Sequence, residues 1–192
     1  MEKKNKRIIY FAIGTGLILL IPLVLTLINP NATINGGQGG GWDWSLGDFI
    51  MVGVFLFGSG IAYELISRRS SDISYKAGVG VAIATALLLI WINGAVGIIG
   101  NEDNPANLLY GGVLLIGVSG VSIARLKPKG VAIALYITAF AQMLVPVITF
   151  FIWPPSVISW SPSVPGVFVL SGFFATLFVV SASLFLKASE KE

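Results

Sequence analysis

Six long apolar runs, separated by short stretches rich in charge, Gly or Pro, cover most of this chain: Ile8 to Ile28, Phe49 to Ser67, Ala77 to Gly100, Leu108 to Leu126, Val131 to Trp153 and Val167 to Leu186. Each is close to the roughly 20 residues a helix needs to cross the hydrocarbon core of a bilayer. In that solvent every backbone N–H and C=O has to be paired within its own segment, which leaves helices or a closed barrel. Runs of this length without polar–apolar alternation predict helices. The expected fold is therefore all-α, a polytopic six-helix transmembrane bundle of three helical hairpins, with 1–192 as a single transmembrane domain.

The polar positions between the runs orient it. All 12 Lys and Arg residues fall on one side of the six-span pattern: Lys3, Lys4, Lys6 and Arg7 before span one, Arg68, Arg69 and Lys76 around the second connection, Arg125, Lys127 and Lys129 around the fourth, and Lys187 and Lys191 at the end. The opposite connections hold Asp43, Asp48, Glu102 and Asp103 and no basic residue. Short cytoplasmic loops retain Lys and Arg, so both termini are expected inside. Composition agrees with a life in lipid, at 55% hydrophobic and only 11% charged residues. Span one follows a basic segment as a secretory signal would, but its apolar run is longer than a usual signal core and no small-x-small site follows. It is expected to be a retained helix. Asn31-Ala32-Thr33 matches a glycosylation sequon, a pattern common by chance.

Helix starts and stops are marked by their chemistry. The first N–H groups of a helix need acceptors, and Ser45 to Asp48 has the spacing of a capping box for span two. Asn104-Pro105 supplies an N-cap and a first-turn Pro, so span four begins there with Asn107 one turn in. Trp153-Pro154-Pro155 should stop span five, and Pro146 within it removes the amide that would bond the carbonyl of Gln142. Gly78, Ala82 and Ala86, with Gly94 further on, follow the small-xxx-small spacing that lets membrane helices approach closely. Span three is accordingly expected to be central. Asp48, Gly53 and Gly58 also match Asn107, Gly112 and Gly117 at one constant offset, which suggests either a duplicated hairpin or convergent helix starts.

Absences narrow the chemistry. With no Cys and no His, thiolate catalysis, disulfides, Cys or His zinc sites and His-ligated haem are excluded. A Ser-His-acid triad is excluded as well, and no Lys lies mid-span to serve a Ser-Lys dyad or a Schiff base. Gly36 to Gly41 contains no Lys and reads as a flexible outer linker, not a phosphate loop. No cofactor, no metal and no nucleic-acid partner is expected.

Polar residues inside spans are the default place to look for function. Asn93 in span three and Gln142 in span five are the candidates, each also explicable as an interhelical hydrogen-bonding group. Glu64 and Arg68 stand four apart and suit an interfacial pair. At the outer end gather Asp48, Glu102, Asp103, Asn104 and Asn107, with Trp42, Trp44, Trp91, Trp153 and Trp160 nearby. Capping and headgroup anchoring account for most of them. Any ligand or partner site is nevertheless expected on this face, at Asn93, Glu102, Asp103, Asn104, Asn107, Asp48 and Gln142.

The stretch Trp91-Ile92-Asn93-Gly94-Ala95-Val96-Gly97-Ile98-Ile99-Gly100-Asn101-Glu102-Asp103-Asn104-Pro105-Ala106-Asn107-Leu108-Leu109-Tyr110 resembles the signature region of a family of small bacterial inner-membrane proteins without an established function. Trp44 to Phe49 is similar to that family too. The resemblance covers spans two to four best and implies a bacterial cytoplasmic membrane and a compact helical bundle. It implies no activity and no catalytic residues. The expected role is a non-catalytic structural or accessory component that binds a membrane protein, a second copy of itself or a lipid. A small channel or transporter for cations or small solutes, and a lipid-modifying enzyme, are the alternatives.

Overall fold

A computed structural model describes residues 2–29 and 44–191. The Asn31 sequon, the Gly36 to Gly41 stretch, Trp42 and Asp43 lie outside the described residues. Among those described there is helix and connection but no strand: α1 (Glu2–Ile28), α2 (Leu46–Ser67), α3 (Ile73–Ala95), a 3-10 turn (Pro105–Asn107), α4 (Leu108–Ile123), α5 (Pro128–Ile152) and α6 (Val164–Ser189). Six helical segments are long and apolar enough to cross a membrane. The large side chains they leave exposed are apolar, among them Leu115, Val118, Ile123, Phe151 and Val169, as lipid contact requires.

The local rules that set the boundaries are visible in the bonds. Ser45 N–H donates to Asp48 Oδ2 at 2.8 Å while Asp48 N–H donates to Ser45 Oγ at 3.3 Å, the reciprocal capping box that opens α2. Asp72 caps α3 by accepting the Tyr75 N–H at 3.0 Å, and Ser163 caps α6 by accepting from Gly166 at 3.1 Å. Pro128 begins α5, where its missing N–H costs nothing. The helix continues through Pro146 and stops at Ile152, just before Trp153-Pro154-Pro155. One boundary differs from expectation: α3 ends at Ala95 although its apolar run continues to Gly100. Ile98 and Ile99 are fully buried by the protein in non-helical backbone, so their apolar character reflects an interior loop and not a longer span.

The chain forms two compact units, 1–65 and 66–192. In the first, α1 and α2 make a hairpin whose close approach is at Gly60, where a Cβ would lie 2.7 Å from the Phe11 ring. At one end of this hairpin the guanidinium of Arg7 donates to both carboxylate oxygens of the buried Glu64, at 3.1 and 3.2 Å. Glu64 thus takes a cation from the other helix. At the opposite end Trp44 N–H donates to Thr26 Oγ1 at 3.2 Å.

In the second unit α5 packs most extensively on α6, α6 on α3, and α4 on α5, whereas α3 and α4 barely touch. Burial is correspondingly concentrated in α5, half of whose apolar window is enclosed, against 22% for α3. The expectation that span three is central is corrected within this unit: the centre is the α5–α6 pair. Gly78 does bring α3 against Phe185 of α6, but Ala82 and Ala86 face a cavity instead of a helix.

Contacts in this unit also gather the basic connections at one end. The Tyr75 hydroxyl donates to the Leu126 carbonyl at 3.0 Å, and Lys191 Nζ donates to Asp72 Oδ2 at 2.8 Å. The hydrogen bond from Lys191, followed by that from the Tyr75 N–H, holds the Asp72 carboxyl below its ordinary value of 3.8. A depressed carboxyl pKa stabilises the fold above the unfolded-state value and ceases to do so as pH falls through the folded one. Protection from hydrogen exchange at Tyr75 and at the end of α6, relative to the intrinsic rate at each pH, should therefore be full above pH 3.8, the ordinary Asp72 value, and fall only below it. Asp72→Asn keeps the cap acceptor and loses the ion pair, so it should remove this pH dependence and lower protection mainly at the end of α6.

Candidate functional site

The outer connection of the second unit, meaning the one at the end opposite the basic connections, is folded around one side chain. Where α3 ends, Val96 and Gly97 N–H both reach the Ile92 carbonyl at 3.0 Å, and Gly97 and Gly100 adopt φ of 72° and 76°. A Cβ at Gly97 would collide with the Asn101 carbonyl, so the reversal requires Gly there. Asn107 then reaches back into the loop. Its Oδ1 accepts the N–H of Ile98 at 3.2 Å and of Ile99 at 2.9 Å, and its Nδ2 donates to the carbonyls of Ile99 at 3.2 Å and Asn101 at 2.7 Å. A primary amide has two donors and two acceptor positions, and all are engaged. Asn107 therefore builds the loop and has no capacity left for a ligand.

A second outer loop, the connection between α5 and α6, is stitched onto the first. Gly100 N–H donates to the Ser161 carbonyl at 3.1 Å. Asn104 accepts the Ala106 N–H at 3.1 Å and directs its amide toward Ser159 at 3.5 Å. Behind them the buried hydroxyls of Tyr110 and Ser171 share a hydrogen bond of 2.7 Å. Trp160, expected as a headgroup anchor, is folded into this assembly at 7% exposure. Its indole N–H donates to the Trp153 carbonyl at 3.0 Å, and its ring packs edge-on against Phe150.

The expected site residues are thus partly assembled and partly dispersed. Asn93, Glu102, Asn104 and Asn107 line one outer cavity of about 300 Å³ between α3 and α4. Asp103 does not line it; it and Glu102 are exposed loop residues with no hydrogen bond or ion pair among the described residues. Asp48 belongs to the first unit, where its carboxylate is engaged by Ser45. Asn93 donates to the Leu89 carbonyl of its own helix at 2.8 Å, not to a neighbouring helix, and its Oδ1 is buried without a partner.

Gln142 lies elsewhere, on α5, fully buried with neither amide atom hydrogen-bonded among the described residues. Thr149 Oγ1, two turns on along the same helix, shares that condition. A buried amide without a partner costs about 1–3 kcal/mol on mutational scales. Gln142→Met, which keeps the length and removes the amide, is therefore expected to raise Tm in detergent, by the equivalent of about 1–2 kcal/mol. A lowered Tm would mean that the amide serves a bound molecule instead.

A larger feature was not anticipated from the sequence. Because α3 and α4 barely touch, the seam between them opens above α5 and α6 into a cavity of about 720 Å³ toward the basic end. Its walls are apolar, from Val79, Ala82 and Ala86 of α3 to Leu114 and Val118 of α4, with Phe178 and Phe185 of α6 behind. Two hydroxyls face it, and both are engaged by their own helices: Ser122 to the Val118 carbonyl and Thr138 to that of Ala134, at 2.7 and 2.8 Å. The charged residues lining it are Arg69 and Arg125. Leu114 lines this cavity and the outer one alike. No protein-family model, no curated protein and no solved structure matches this chain.

Proposed function

We propose that this chain is a non-catalytic accessory protein of the bacterial cytoplasmic membrane, with both termini cytoplasmic, that holds another membrane component along the open α3–α4 seam. The observation that carries the reading is the seam itself. Two neighbouring membrane helices ordinarily close on each other, and small residues such as Ala82 and Ala86 favour that closure; here they line an apolar cavity. The polar groups that sequence places at the outer end support the same view, since Asn107, Asn104 and Asp48 are engaged in building loops and caps. The positive-inside distribution supports the orientation.

Photocrosslinking tests this directly. A photoreactive residue at Ile83 or Leu114, in the seam, should capture one discrete species in native membranes, while the same group at Val169 or Phe151 should label lipid diffusely. Equal, diffuse labelling at all four positions would overturn the proposal. A second reading, a pore for small solutes, draws on the sharing of Leu114 by the two cavities. It is disfavoured by the apolar walls, which offer a permeating ion nothing in place of water. Liposomes should show no flux above empty vesicles, and Leu114→Ser should not open one; solute flux that rises in Leu114→Ser would favour the pore.

A further inference from the structure

The cavity at the basic end of the seam has a shape and charge that specify its occupant more closely. Its lining on α4 runs from Leu114 to Ser122, about 12 Å at a helical rise of 1.5 Å per residue. That is close to half of the roughly 30 Å hydrocarbon thickness of a bilayer. Its depth thus matches that of about one leaflet. Its volume of about 720 Å³ lies within the roughly 300–1,000 Å³ of pockets that enclose whole small molecules. No acid lines it, and the hydroxyls of Ser122 and Thr138 are already engaged, so the walls recognise hydrocarbon and nothing polar.

Charge enters only at Arg69 and Arg125, where the lining reaches the basic connections. Both are exposed, and neither has an acidic partner among the described residues. Arg125 also sits in unusual backbone. It and Leu126 adopt φ of 51° and 62°, the left-handed region that favours Gly or Asn. The Tyr75 hydroxyl fixes this turn through the Leu126 carbonyl. Two exposed guanidiniums in the lining of an otherwise apolar slot match a phosphate attached to an acyl chain.

We infer that the inner cavity of the α3–α4 seam binds one anionic phospholipid of the cytoplasmic leaflet, with an acyl chain between α3 and α4 and the phosphate on Arg69 and Arg125. This rests on the reading of the seam as a binding surface and names what occupies it. The lipid is a discrete ligand, distinct from the annular lipids that contact the outer faces of the helices.

The test uses the full chain in mild detergent, titrated with phosphatidylglycerol or phosphatidylcholine of identical acyl chains, with bound lipid counted by native mass spectrometry. One phosphatidylglycerol per chain should be retained, about tenfold more tightly than phosphatidylcholine. Arg69→Gln with Arg125→Asn should abolish that preference while leaving Tm unchanged, since Asn tolerates the left-handed turn. Ala86→Phe, which fills the slot, should displace both lipids, and Ala82→Leu serves the same purpose if the larger residue fails to fold. Retention of both lipids with equal affinity would overturn the anionic assignment and leave the seam as a binding surface. Loss of all lipid from the wild-type chain, with seam crosslinks going to a protein, would likewise overturn the lipid but not the seam. No lipid and no discrete crosslink would overturn both.

Discussion

Asn107→Leu is expected to destabilise the second unit by about 3–5 kcal/mol, more than any other single loss of a polar side chain in the outer end. The substitution is close in volume, so the cost arises from the polar groups left behind. The N–H groups of Ile98 and Ile99 lose their acceptor, and the carbonyls of Ile99 and Asn101 lose a donor. Ile98 and Ile99 are fully buried, so water does not take over without opening the loop. Each buried group left unsatisfied costs about 1–3 kcal/mol, and a partial opening limits the sum. The effect should be read as a fall in Tm and as fast hydrogen exchange at the Ile98 and Ile99 amides. Asn107→Asp preserves the acceptor but sets a second oxygen against the carbonyls of Ile99 and Asn101, so it too should be clearly destabilising. Unaltered exchange at Ile98 and Ile99 in Asn107→Leu would refute the structural role and return Asn107 to the list of ligand candidates.

The two ends of the second unit were legible because charge sorts by side in a membrane, and Lys191–Asp72 and Tyr75–Leu126 indeed bring the basic connections together. Caps were legible because they are local: Ser45 with Asp48, and Asn104 with Ala106, involve neighbours two or three residues apart. Asn107 was visible as a helix-start residue but its partners lie six to nine residues back, in a loop whose apolar Ile98 and Ile99 read as a continued span. Trp160 was misjudged for a related reason: its burial depends on the Trp153 carbonyl and Phe150, which only the folded α5–α6 connection supplies. Residues matched at a constant offset also proved to do different work. Gly53 lies against Leu19 while Gly112 faces open space, and Gly117 lies against Thr138 while Gly58 faces open space.

The small-residue stripe on α3 leads to the other large effect. Gly78→Leu is expected to cost about 3 kcal/mol or more, by separating α3 from α6. A Cβ at Gly78 would lie 2.9 Å from the Phe185 ring and 3.4 Å from the Leu184 Cβ. Phe185 has little room to yield, being 2% exposed and packed edge-on against Tyr75 with ring centroids 5.0 Å apart. Displacing α6 would also break the 2.7 Å bond from the Ser181 hydroxyl to the Gly78 carbonyl, leaving the buried hydroxyl without that partner. In membrane helices such a bond contributes about 0.6 kcal/mol on average, so overpacking is the larger share and Ser181→Ala alone should be mild. Gly94 belongs to the same stripe by spacing, yet nothing lies within 4 Å of a Cβ built there. Gly94→Leu should therefore be neutral or stabilising by up to about 1 kcal/mol, as removal of a helical Gly commonly is. Steric-trap or thermal unfolding of the two variants separates a uniform packing stripe, which would make both costly, from a stripe that closes on α6 at Gly78 and opens into a groove beyond it. Since Phe185 and the residue after Gly78, Val79, also line the inner cavity, Gly78→Leu should distort that slot as well, and the retained lipid should be lost in proportion to the fall in stability.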